Sequence, residues 1–105
     1  MTASNEVWIG MVHVRTTPSS VVLADSSGGW VNVLAWAQSP DEYRSQIFHA
    51  VAYYGLELRS IEDIEPLRLR LEKASVEPLL DQRAKEVEVT RMVRFGTFHT
   101  YLETT

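Results

Sequence analysis

At 105 residues the chain suits one domain, residues 1–105, around a single modest core, and 45% hydrophobic against 23% charged residues excludes a disordered composition. It holds no cysteine, which excludes disulfides, thiol catalysis and thiolate metal sites. Fourteen acidic against ten basic side chains give a net charge of −4 without any basic run, so neither DNA nor RNA is an expected partner.

The first six residues, Met1-Thr2-Ala3-Ser4-Asn5-Glu6, combine neither a basic region nor an apolar signal core. No apolar run approaches the ~20 residues that span a bilayer, so a cytoplasmic protein without a membrane segment is expected. Val7 to Arg15 (VWIGMVHVR) is β-branched and apolar on both faces as far as His13, which predicts a central strand. Val7, Ile9, Met11, His13 and Arg15 share one face; Trp8, Gly10, Val12 and Val14 share the other. Thr16 to Ser20 is a loop and Val21 to Ala24 a short strand candidate. Asp25 to Gly29 ends in two glycines free to take positive φ, which suits a hairpin turn. Trp30 to Ala37 (WVNVLAWA) is a second long strand, with Trp30, Asn32, Leu34 and Trp36 on one face.

Ser39-Pro40-Asp41-Glu42 fits a capping box with proline at the first helical position. The helix it opens runs to about Tyr54, with Gly55 as a left-handed stop and Tyr43, Ile47, Ala50, Val51 and Tyr54 as its apolar stripe. Leu56 to Ile61 alternates as a half-buried strand does. Glu62 to Pro66 is an acidic loop, and 67–73 fits a strand or a short helix equally. Ser75 caps a second helix with Pro78 in its first turn, burying Val76, Leu79, Leu80, Ala84 and Val87. Arg94 to Leu102 closes the chain as a strand, with Phe98 and Leu102 on one face and Phe95, His99 and Tyr101 on the other.

This order, without a repeat, predicts an α+β fold: a ferredoxin-like two-layer sandwich, its antiparallel or mixed sheet of four to five strands carrying two helices on one face. The longest strands are apolar on both faces, and two helices on one side leave the other bare. A second copy of the chain is the expected cover, making a homodimer.

Imidazole titrates near neutral pH. If the first and last strands are neighbours, His13 and His99 with Arg15 and Tyr101 form a site able to shuttle protons. The commoner role of a strand histidine is a half-buried residue with one hydrogen bond. With no HxH or HExxH spacing, no metal is expected. His49 reads as a solvated helix residue. Trp30, Asn32 and Trp36 line a ligand pocket if their face is open, and are core or dimer interface if it is covered. Glu62, Asp63 and Glu65 form an acidic patch suited to a basic protein partner, without the pattern of a calcium loop. The Ser26-Ser27-Gly28-Gly29 loop lacks the lysine of a phosphate loop, and no GxSxG surrounds any serine.

These readings point to a non-catalytic interaction or accessory module, in the manner of a bacterial immunity protein, that needs no cofactor. The alternative is a small cofactor-independent enzyme or ligand sensor of the dimeric α+β-barrel kind, with His13, His99, Arg15 and Tyr101 in its pocket. That alternative requires both imidazoles to reach one small molecule.

Overall fold

The computed structural model describes residues 4–18, 20, 23 and 26–102. Strand β1 (Glu6–Arg15) and strand β2 (Gly28–Ala37) pair antiparallel along their whole length, from Glu6 opposite Ala37 to Arg15 opposite Gly28. Helix α1 (Pro40–Tyr53) follows, opened by Ser39, whose Oγ accepts the Glu42 amide at 3.2 Å. Gly55 adopts φ 72° just beyond it, a conformation costly for any residue with a Cβ, and turns the chain into β3 (Glu57–Pro66). Then come α2 (Leu67–Lys73), α3 (Pro78–Thr90), β4 (Arg94–Phe95) and β5 (His99–Tyr101).

The sheet is antiparallel in the order β3-β1-β2-β4, with β5 also pairing β2. The α+β class and the strand count are those expected. None of the described residues between the first two long strands is helical. Among the described residues no helix is long and apolar enough to cross a membrane.

Alternation along β1 and β2 decides where the core lies. Val12, Val14, Val31, Val33 and Ala35 pack with Tyr43, Ile47 and Val51 of α1. The intervening residues Val7, Ile9 and Leu34 pack with Leu67 of α2 and Leu80, Ala84 and Val87 of α3. The helices therefore occupy both faces, which corrects the expectation that both lie on one. Strands apolar on two faces need two covers, and α3 supplies the second over half the sheet.

Other differences have local causes. Gly28 and Gly29 belong to β2 and not to the turn; a Cβ on Gly28 would strike the Val14 carbonyl and lie 2.7 Å from the Tyr101 hydroxyl, so glycine is there for close approach. Glu62 to Pro66 continues β3, because a register shift near Asp63, at φ 55°, lets Ile61 and Ile64 both pack toward α1. The segment 67–73 is helical. Glu77, not Ser75, stands at the cap of α3, since the residue before Pro78 is held extended. The Glu77 carboxylate instead accepts the Thr97 amide and hydroxyl at 3.1 and 3.0 Å, pinning the break between β4 and β5. That break changes parity, so Phe95 stacks with Phe98 on the α1 side while His99 and Tyr101 pair with the opposite face of β2. The strand candidate Val21 to Ala24 lies, apart from Leu23, outside the described residues, as does Asp25.

Candidate functional site

On the α3 face the helix covers the Val7, Ile9 and Leu34 end of the sheet. Met11, His13, Arg15, Trp30 and Asn32 occupy the other end, all half-buried. His13 and Trp30 oppose one another across the β1–β2 ladder, with rings 6° from parallel and 4.4 Å apart. Pairing of β5 with the start of β2 brings in Tyr101, whose hydroxyl lies 2.7 Å from His13 Nε2. Three residues from three strands thus form one aromatic cluster, and the stack plus hydrogen bond hold the imidazole in place. Arg15 stands two pairs further along, opposite Gly28 and Glu57.

His99 does not join them. It opposes Trp30 from the β5 side, so two strand spacings, about 10 Å of backbone, separate the two histidines with Trp30 between. Trp36 lies at the covered end, packed beside the α3 cluster with the Arg91 guanidinium 3.5 Å from its ring centroid. Trp30 and Trp36 therefore share a strand face without sharing a pocket. Asn32 Oδ1 is buried with no hydrogen bond among the described residues, while its backbone carbonyl accepts the Gly96 amide at 2.8 Å. His49 is exposed on α1, edge-on to Phe48. Among the described residues no three His, Asp or Glu side chains converge as metal ligands would.

The acidic trio divides. Glu65 accepts Lys73 Nζ at 2.6 Å and Arg70 Nε at 2.7 Å, and these bonds, Lys73 first, hold its carboxyl below the ordinary carboxylate range. Glu65 thus ties α2 to β3, and the Asp63 carbonyl accepts Arg70 Nη2 as well. Glu62 and the Asp63 carboxyl stay exposed.

The sequence reading missed the flanks of α1. One helix is about 10–12 Å across, whereas four strands spaced about 4.8 Å apart make a wider face. A groove is left on either side. Toward β3, two adjoining cavities of 480 and 400 Å³ share Phe48 and Leu58. Toward β4, a 450 Å³ groove is walled by Tyr53, Tyr54, Met92, Val93 and Phe95. It runs into a 330 Å³ cleft where Glu86 binds both Arg83 and Arg94, at 3.0 and 3.1 Å. Arg83 foremost, then Arg94, holds the Glu86 carboxyl below its ordinary value. Phe48 and Tyr53 are 57% and 82% exposed. Their signal was legible: both are aromatics that fall off the helix's own apolar stripe.

Comparisons with protein-family models, with curated proteins and with solved structures find no match for this chain.

Proposed function

We infer that the chain is a non-catalytic protein-interaction module that engages partners through the apolar flanks of α1. One observation supports this above the rest: α1 is narrower than the face it covers, and Phe48 and Tyr53 on its flanks and Met92 beside it are each more than half exposed. Aromatic residues, Met and Arg are enriched where proteins meet, and clustered exposed apolar side chains mark such surfaces. An accessory or immunity-type role in the cytoplasm is compatible with the cysteine-free composition. A second copy of the chain is the partner we assign to the opposite face, over Met11, His13 and Trp30.

Photo-crosslinking tests the reading. A photoreactive residue is placed at position 48 or 53, with Lys85 and Glu88, exposed on α3, as control positions. Crosslinks to a discrete partner in host lysate are expected several-fold more often from 48 or 53. Equal labelling at all four positions would overturn it.

A second reading, a small cofactor-independent enzyme or ligand sensor, draws on the His13–Tyr101 hydrogen bond beside Trp30. A metabolite present at a hundred times its Kd adds about 2.7 kcal/mol of stability, or roughly 10 °C in Tm. Such a shift, abolished in His13→Gln, would favour this reading over the first.

A further inference from the structure

The two flanks of α1 differ in charge, and that difference selects a partner for one of them. The groove toward β4 is apolar along Tyr53, Met92 and Phe95, and it opens directly into the Arg83–Glu86–Arg94 cleft, the two sharing Tyr54, Val93, Arg94 and Phe95. A guanidinium carries five N–H donors and a carboxylate two oxygens. Glu86 takes Arg83 Nη1 on both oxygens and Arg94 Nε on one, so its capacity is exceeded by two guanidiniums. The cleft keeps a net positive charge in a chain whose total is −4. Arg83 and Arg94 are about a third exposed, at 36% and 29%, so donors remain within reach of an incoming anion.

We propose that the groove between α1 and β4 binds a peptide segment of a partner protein that carries an apolar anchor followed closely by an aspartate or glutamate. The anchor lies between Tyr53 and Met92, and the carboxylate reaches the Arg83–Arg94 pair, where charge-assisted hydrogen bonds to guanidinium are strong and directional. The inference rests on the interaction reading and adds the chemistry of the partner. The groove toward β3 carries no such bias: Arg44 and Arg59 are already matched one to one with Asp41 and Glu57.

The probe is a pool of acetylated, amidated tetrapeptides with two varied apolar positions followed by Asp, compared with the same pool carrying Asn. The two are titrated into the isotope-labelled chain and followed by amide chemical shifts. Shifts at residues 92–95 are expected, with the Asp pool binding at least fivefold more tightly. That ratio should fall to about one in an Arg83→Gln/Arg94→Gln variant whose melting curve shows it folded. Tyr53→Ser, at a side chain 82% exposed, keeps the fold and should weaken both pools together. Equal binding of the Asp and Asn pools, or shifts confined to the Phe48 groove, overturns the proposal. Crosslinking from position 53 without Asp/Asn discrimination would leave the interaction reading standing and remove this one. Absence of both crosslinking and discrimination would remove the interaction reading and this proposal with it.

Discussion

Tyr43, on the sheet-facing side of α1, is wholly buried, and its hydroxyl donates to the Val33 carbonyl at 2.7 Å. Burial pushes its pKa well above the ordinary tyrosine value of 10, against a smaller opposing pull from Arg70. A raised pKa means the fold favours the neutral phenol. That contribution is intact below pH 10 and is lost as pH rises further, because the unfolded chain ionises first. Tyr43→Phe leaves the Val33 carbonyl without its donor and should cost about 1–3 kcal/mol at neutral pH in urea titrations. Above pH 10 the gap between parent and variant should narrow; a constant gap would mean the phenol is not shielded. Gly28 offers a second test of close packing. Gly28→Ala drives a methyl into the Val14 carbonyl and the Tyr101 hydroxyl. An overpacking cost of about 1–3 kcal/mol is expected in thermal melts, and a neutral result would show that β5 yields.

At the scale of elements, α1 depends on its cap. Ser39→Ala removes the oxygen that accepts the Glu42 amide and should cost about 1 kcal/mol, or 4–8 °C in Tm. The junction of β3 and α2 depends on Glu65. Its depressed pKa makes a contribution present above 4.5, the ordinary value, and lost as pH falls through the folded value. Glu65→Gln should therefore melt below the parent at pH 7 and approach it under acid conditions; a gap that persists in acid would assign the loss to packing instead. These two elements also mark how far the sequence could be read. Serine, proline and two acids set the start of α1, and Gly55 its end, all through local bonds, so the helix was legible residue by residue. Glu65 was not, because its partners lie on a helix whose existence five alternating residues, Leu67 to Leu71, left undecided. The break after Phe95 was equally hidden, since it is imposed by Glu77, twenty positions away from Thr97. In the candidate site, the shared faces of His13 with Arg15 and of Trp30 with Asn32 followed from alternation alone. The meeting of His13 with Tyr101, and its separation from His99, waited on strand order, which no local pattern encodes.

Across the whole molecule, the two faces of the sheet are covered unequally, and this bears on self-association. Alternation in the sequence implies an entire bare face for a second copy to cover, whereas α3 covers the half around Ile9 and Leu34. What remains is the end that carries Met11, His13, Trp30 and Asn32, all half-buried. The molecule extends 50 × 25 × 22 Å, so half of its broad face is roughly 25 Å square, about 600 Å² per copy. Stable pairs bury about 800 Å² on each side, and smaller contacts are transient. Two copies, each with a net charge of −4, also repel one another at low salt. A weak dimer is therefore the expected outcome: monomer at low micromolar concentration, dimer approaching millimolar, with the equilibrium displaced toward dimer by added salt. Met11 stands opposite Asn32 on one neighbouring strand and Glu62 on the other, so a lysine there gains a carboxylate neighbour within the monomer. Met11→Lys should accordingly keep the fold, checked by circular dichroism, while placing two like charges across the contact and abolishing the dimer in light scattering. A monomer at every concentration would show that this end of the sheet faces solvent, and a dimer indifferent to Met11→Lys would move the contact elsewhere, with the flanks of α1 the next surface to substitute.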